Sequence, residues 1–342
     1  MPGADVTILT RTLGRPCLAD AAASVASQTL RPREWLVVDA SGEGIEAPAA
    51  GGVPVRVAGA GERLPRARAA NLGLDRAEGA RVMFLDDDDL LLPDAVRVLS
   101  AALDARPGPG LAYGNVRAEA GGLPSPNRFA LDYAELLLLK RNVFPNNAAM
   151  FDLAPVRGHA IRFDESLDWF EDWDFWIRLS AHVPFHHVAE EVAVYRMGLS
   201  QSGVWRWAGP DADPRMRAQK AIVEARCAAR RGELEARHRE AKAAAAGSAR
   251  EGRLDDALAA WLAAAEHDPL DAEPPIAASR LLAGSGDVPR ARAVLEAAVA
   301  RMPKHPLLHA ELARVYDDAG EASLASRARD DARRYAQPAR GR

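Results

Sequence analysis

Cysteine is nearly absent: Cys17 and Cys227 are the only two in 342 residues, far apart and in no metal-ligand spacing. A disulfide framework is thereby excluded, and a reducing compartment fits. No apolar run approaches the ~18 residues needed to cross a bilayer. The N-terminus, MPGADVTIL, has no basic stretch leading into an apolar core and cleavage site. Together these predict a cytoplasmic protein without a transmembrane segment, able to meet a membrane only at its periphery. Neither sign of charge is in excess, since the net charge is −4 and the pI about 6.1, so there is no electrostatic case for a nucleic-acid partner. Spaced glycines are also missing. The loop Arg11–Pro16 carries only Gly14, which disfavours both a dinucleotide-binding Rossmann enzyme and a P-loop enzyme. His182, His186 and His187 lie near one another, but no histidine pair shares a helical face with a glutamate, and the spacing gives no metal motif.

What is present is organised around Arg81–Pro93, RVMFLDDDDLLLP. Val82–Leu85 is a short apolar run of the kind expected for a strand buried on both faces, and it ends in four carboxylates, Asp86 to Asp89. Ligands collect at the carboxyl ends of strands in open α/β sheets. Like charges crowded on one turn repel, and a hard divalent cation carrying a phosphate would relieve them. The plainer reading is an acidic turn that opens the helix begun by Pro93 and Asp94.

The chain is long enough for about two domains. Val6–Thr10, Leu18–Gln28 and Trp35–Val38 read as strand, helix and strand, a βαβ unit that implies a parallel sheet. Pro54–Ala58 is a third strand, and the helix Leu64–Glu78 presents Arg66, Arg68 and Asn71, whose bland reading is a solvated face. A helix at Asp94–Leu103, a strand at Leu111–Val116, a Leu-rich helix at Leu131–Lys140 and a strand at Ala148–Phe151 follow. In FDESLDWFEDWDFWIRL, Phe163–Leu179, Glu171 and Asp172 stand at a helix start. Trp169, Trp173 and Trp176 offer flat apolar faces to a sugar, although the spacing of Trp173 and Trp176 suits core better. A strand at Val188–Tyr195 precedes Ser200–Pro214, which reads as a flap carrying Trp205 and Trp207.

Composition then shifts to Ala, Arg and Glu. Arg215–Lys242 reads as one long charged helix, and beyond it Gly252, Gly286 and Gly320 are spaced by 34. Ala257, Ala291 and Ala325 keep that interval, as do Pro269 and Pro303. The register resembles tetratricopeptide repeats, in which glycine turns the chain between two helices and alanine lets them pack closely. An Ala-rich bundle without true repeats is the alternative.

The first two hundred residues resemble the family 2 glycosyltransferases. The matching pieces are VTILTRTLGRP, ASQTLRPREWLVVDA, ARAANLGLDRAEGARVMFLDDDDLLLPD, and FDESLDWFEDWDFWIRL with VAVYR. The resemblance implies an α/β fold of GT-A type over 1–210, a mainly parallel sheet flanked by helices. A helical linker at 211–243 and an all-α, tetratricopeptide-like domain at 244–337 follow. It also implies an inverting transfer of sugar from a nucleotide-diphosphate donor to an acceptor hydroxyl, dependent on Mg²⁺ or Mn²⁺. On this resemblance Asp86 and Asp88 hold the metal, with Asp88 the leading direct ligand. Thr10, Thr12, Asp39, Arg66, Asn71, Asp86 and Asp87 contact the donor. Asp172 is the base beside Glu171, and Trp169, Trp173 and Trp205 line the acceptor side. Two departures, Ala40 where many relatives carry a second acidic residue and Leu13 in place of a tyrosine, leave the nucleobase open, and the acceptor, whether saccharide, lipid-linked or protein, is built by variable loops, here Gly121–Asn127 and Ser200–Pro214. The repeats would dock a protein partner or a second copy. An inactive sugar-nucleotide-binding adaptor, with function in the repeats, is the competing reading. A nucleotidyltransferase is a third, disfavoured because its glycine-rich loop is missing.

Overall fold

Strand β1 (Ala4–Thr12) is buried along most of its length, as its run of Val6, Ile8 and Leu9 requires. Helix α1 (Leu18–Ala26) and strand β2 (Pro32–Asp39) complete the βαβ unit, and β2 lies parallel to β1 with Thr12 opposite Asp39. Strand β3 (Val55–Gly59) joins β2 in parallel, and helix α2 (Arg66–Arg76) leads to β4 (Arg81–Phe84), parallel to β1 on its other side. After the acidic turn come β5 (Leu90–Leu91), α3 (Ala95–Asp104), β6 (Leu111–Ala120) and β7 (Leu123–Phe129). Then follow α4 (Glu135–Lys140), a 3₁₀ turn at Asn146–Ala148, β8 (Ala149–Asp152) and α5 (Leu153–Gly158). Helix α6 (Glu171–Leu179), β9 (Phe185–Met197) and α7 (Pro214–Arg226) complete this part. This computed structural model describes residues 3–198 and 213–336.

The sheet runs in the order β3-β2-β1-β4-β8-β6-β9-β5, with β7 on β6. Its half from β3 to β4 is parallel throughout; β8 is antiparallel to both β4 and β6, which makes the whole a mixed sheet of the GT-A type. In the parallel half, Thr12, Asp39, Gly59 and the acidic turn after β4 all emerge at one edge. The Leu85 amide still donates to the Leu9 carbonyl at 2.9 Å, so the ladder holds up to the first carboxylate. Gly121–Asn127, expected as a loop, contributes the tight turn and most of strand β7, because Gly121 and Gly122 at φ 58° and 79° let the chain reverse at once.

Contacts divide the chain into two units, one of Met1–Tyr133 with Arg141–Cys227, the other of Ala134–Lys140 with Ala228–Arg342. The core of the first is aromatic around α6. Trp173 and Trp176 are buried there, and Phe163 stacks on Phe175 at 4.3 Å. The segment 211–243, expected as one linker, serves both units. Arg215–Lys242 is two helices rather than one, because the chain leaves helical geometry at buried Cys227 (φ −100°, ψ 2°).

The second unit is all helical. Its three hairpins are α8 (Ala228–Arg250) with α9 (Leu254–His267), α10 (Glu273–Gly284) with α11 (Val288–Arg301), and α12 (Pro306–Asp318) with α13 (Ala322–Ala336). Gly252, Gly286 and Gly320 occupy the three turns at φ 78°, 86° and 76°. In each, the amide after the glycine reaches back to a carbonyl five residues earlier, as in Asp287 to Leu282 at 2.9 Å, which is a Schellman cap. Ala257, Ala291 and Ala325 are fully buried where the paired helices meet. No described helix is long and apolar enough to cross a membrane.

Two substitutions test this packing. A Cβ at Gly73 of α2 would lie 2.8 Å from Cγ of buried Leu9, so Gly73→Ala should lower stability by about 1–3 kcal/mol, read as a drop in Tm. An unchanged Tm would refute that close helix–strand approach. Gly286 has open space around it, so Gly286→Ala isolates the left-handed backbone and should cost about 1–2 kcal/mol in a thermal melt followed at 222 nm.

Candidate active site

Arg11 ends the apolar run of β1 and carries its guanidinium into the edge where the parallel strands finish. It is buried, donates from Nη2 to Asp86 Oδ1 at 2.8 Å, and from Nη1 to Glu171 Oε1 and the Arg66 carbonyl, each at 3.4 Å. Burial works against its charge, but the attraction of Asp86 and Glu171 outweighs burial and keeps it protonated more firmly than in water. One cation therefore joins the acidic turn after β4 to the Glu-Asp pair that opens α6.

The four carboxylates of the turn have different surroundings. Burial pushes Asp86 up, but Arg11 and Arg66 more than reverse this, and it stays ionised. Asp87 takes a forked ion pair from Arg15, whose Nε lies 3.1 Å from Oδ2, and accepts the Thr12 hydroxyl at 2.5 Å. The side-chain partner of Asp88 among the described residues is Arg15, whose Nη1 lies 3.3 Å away, and its carboxyl is raised above the usual range by burial and then by the like charge of Asp86, with Asp87 adding to it. Asp89 is structural: it accepts Asn147 Nδ2 at 3.0 Å and the Arg196 amide at 2.9 Å, and burial followed by Asp86 and Asp88 holds it well above the ordinary carboxylate range. Arg196 also fixes the turn through a 2.6 Å bond from Nε to the Asp88 carbonyl.

Carboxylate oxygens are the donors that Mg²⁺ and Mn²⁺ take, and the raised carboxyl of Asp88 marks negative charge short of a counter-cation. Among the described residues no three His, Cys, Asp or Glu side chains gather as a metal cluster. One or two carboxylates completed by phosphate and water is how Mg²⁺ is commonly held, so the residues fit such an ion.

At the start of α6, Phe170 sits at φ 63°, an unusual left-handed conformation for an aromatic residue and a strain of about 1–3 kcal/mol that recurs at functional sites. It turns the chain so that Glu171 and Asp172 open the helix. Asp172 Oδ1 accepts the Trp173 amide at 2.7 Å, and Oδ2 accepts Asn142 Nδ2 at 2.9 Å. Burial, followed by the charge of Glu171, raises the Asp172 carboxyl to about 6. The preceding loop is held by α7: Gln219 Oε1 accepts the Asp168 and Trp169 amides at 2.9 and 2.8 Å, and Arg226 bridges Asp164 and Asp174.

The expected site residues divide accordingly. Thr12, Asp86, Asp87, Asp88, Glu171 and Asp172 come together, with exposed Arg66 near enough to stabilise the charge of both Asp86 and Asp172. Thr10 does not join them, because its buried hydroxyl accepts the Trp35 indole at 2.9 Å. Asn71 is spent on Phe163 and Glu165, with bonds of 2.8 to 3.0 Å from both ends of its amide. Both carboxylate oxygens of Asp39 are taken by Ser41, Gly42 and Gly44, so Asp39 shapes the loop after β2. Trp173 is core, edge-on to Phe170, and cannot offer a face to an acceptor. Trp169 is half-buried, with the Arg215 guanidinium over its ring at 5.8 Å. Trp205, and with it Trp207 and residues 200–212 of the expected flap, lies outside the described residues. Sequence reasoning missed Arg11, Arg15, Asn142 and Arg196; the visible signal was Arg11, one charge at the end of a buried strand.

Residues 7–144 match the family model described as glycosyl transferase family 2, a segment that holds Arg11, Arg15, the acidic turn and Asn142. The uncharacterized protein y4gI of Sinorhizobium fredii is 30% identical over 133 residues, which span 38% of this chain and 14% of that protein. The crystal structure of residues 1–349 of S. aureus TarS in complex with UDP-GlcNAc superposes with a TM-score of 0.50 at 13% identity, covering 96% of this chain and 91% of that one. At that identity the likeness speaks for the fold. The segment 7–144 of this chain is a glycosyl transferase family 2 domain.

Proposed function

We propose that this protein is an inverting glycosyltransferase that moves a sugar from a nucleotide-diphosphate donor to an acceptor hydroxyl. The observation that carries the reading is Arg11, which ties a carboxylate-rich strand end to the carboxylate pair that opens α6 and so makes one site of two remote motifs. Asp88, with Asp86, is the candidate holder of Mg²⁺ or Mn²⁺, which when bound would neutralise the leaving diphosphate. Arg11, Arg15 and Arg66 add fixed positive charge on the donor side, where negative charge develops as the glycosyl bond breaks. Asp172 takes the proton of the acceptor hydroxyl. A carboxyl at about 6 is ionised at neutral pH yet more basic than a solvated aspartate, which suits a general base. Attack from the face opposite the leaving group inverts the anomeric centre.

The three glycine-turned hairpins support reading the helical unit as tetratricopeptide-like, a docking face for a protein partner or a second copy. A groove of about 820 Å³ in that unit is lined by Lys140, His238, Asp271, Arg280 and the exposed Leu307, among others. The UDP-GlcNAc complex of TarS makes a UDP-sugar the first donor to try.

Asp172→Asn should lower kcat by ~10²-fold or more with donor affinity nearly intact. In the unmodified enzyme, protonation of the base removes activity, so the rate should fall tenfold per pH unit as pH drops below about 6, with a plateau above. Near-normal transfer by Asp172→Asn, or a product that keeps the donor's configuration, would remove the assignment. For the donor side, Asp88→Asn should weaken Mn²⁺-dependent UDP-sugar binding in calorimetry while leaving Tm nearly unchanged. Equal nucleotide affinity with and without metal in the unmodified protein would leave the acidic turn as a helix-entry feature. Donor binding without any transfer or hydrolysis would favour the adaptor reading.

A further inference from the structure

Asn142 stands beside Asp172 with half of its amide unused. Its Nδ2 donates to Asp172 Oδ2 at 2.9 Å, while its Oδ1 is buried and, among the described residues, has no hydrogen-bond partner. A buried amide oxygen without a donor is costly, and a proton arriving on the neighbouring carboxylate would supply one. The residue is firmly held, since Val143 and Phe144 beside it are buried and Phe144 stacks on Tyr113 at 4.3 Å. The second oxygen of Asp172 is committed to the Trp173 amide, so Oδ2 is the one through which a proton can come and go.

We propose that Asn142 is the positioning residue of Asp172 and follows its proton. With Asp172 ionised, the amide nitrogen donates to Oδ2 and fixes the rotamer that faces the acceptor hydroxyl. During transfer the acceptor oxygen bonds to the anomeric carbon, the bond to the diphosphate breaks with its electron pair leaving on the diphosphate, and the acceptor's proton passes to Oδ2. A carboxylic acid now needs an acceptor rather than a donor, and the Asn142 amide, turned by half a rotation, supplies Oδ1 for it. An amide serves both protonation states of one neighbour, whereas a lysine would serve one and an apolar side chain neither. The charges facing Asp172 are Glu171 on its own helix, Arg66 of α2 and Arg11 of β1, so Asn142 is the neutral member of this set. The inference rests on the reading of Asp172 as the base.

The test follows the Asp172 carboxyl carbon by NMR in the full chain labelled with ¹³C-aspartate, its resonance assigned by its loss in Asp172→Asn. Removing a donor that favours the ionised form should raise the midpoint by about one pH unit in Asn142→Leu and Asn142→Ala. The acid limb of Mn²⁺-supported UDP-GlcNAc hydrolysis should move up with it, and kcat at pH 7 should fall about twofold as the ionised fraction of Asp172 drops to about half. A merely structural asparagine would lower activity at every pH alike and leave the midpoint where it was, which overturns the proposal. Should the leucine variant not fold, Asn142→Asp keeps the shape and places a second carboxylate against Oδ2; a midpoint that does not rise there refutes the contact. If instead Asp172→Asn retains the acid limb while the NMR midpoint still responds to Asn142, Asp172 is not the base, and the coupling of the two residues stands on its own.

Discussion

A guanidinium leaves water only where carboxylates receive it, and Arg11 has two, one from each half of the site. Asp86 follows β4 and Glu171 opens α6, and without the shared cation a half-buried and a buried negative charge would repel one another. Removing one partner of such a group is typically far costlier than the group's net contribution, because the remaining charges are left unpaired in a poor dielectric. The rest of the site is arranged around this ion pair: Arg15 takes Asp87, Asn147 and the Arg196 amide take Asp89, and Asp88 is left with the weakest partner. That uneven distribution differentiates four identical side chains into a counter-ion, a loop clamp, a structural acceptor and a candidate ligand.

The same unevenness separates the two carboxylates of α6. Adjacent positions at a helix start point about 100° apart. Glu171 turns toward Arg11, and Asp172 turns toward an asparagine and its own helix amide. The neighbour with the arginine has a cation 3.4 Å away, and the other is raised to about 6 by burial and by the charge of Glu171.

Much of this was legible in the sequence because it is local. The βαβ unit, the apolar strand ending in Asp86 and the helix start at Glu171 each follow from short-range pattern, and the 34-residue glycine spacing found its three left-handed turns. What failed to show were partnerships set by the tertiary fold. Thr10 and Asn71 carry groups able to bind a donor, yet the sheet brings the Trp35 indole to one and the Phe163 backbone to the other. Arg15 and Asn142 have no periodic signal at all, since a loop residue's partner depends on where a distant strand ends. The break at Cys227 was hidden for another reason: the flanking residues are all acceptable in a helix, and the interruption lies in backbone geometry.

Helix α4 is translated between β7 and β8 but belongs by its contacts to the helical unit, where it packs with α8 and α9. Its four leucines, Leu136 to Leu139, are all buried. On the ribosome this segment emerges long before α8 and α9 exist, so it must remain uncovered while the strands around it are already forming. The gene therefore has no single point at which the two units can be cut apart. Stopping translation after Cys227 would keep α4 and delete its helical neighbours, leaving an apolar patch that invites aggregation. Starting at Ala228 would lose α4 altogether. Any natural recombination that exchanged the helical unit among related chains would have to carry the internal segment Ala134–Lys140 with it, or replace it with a polar one.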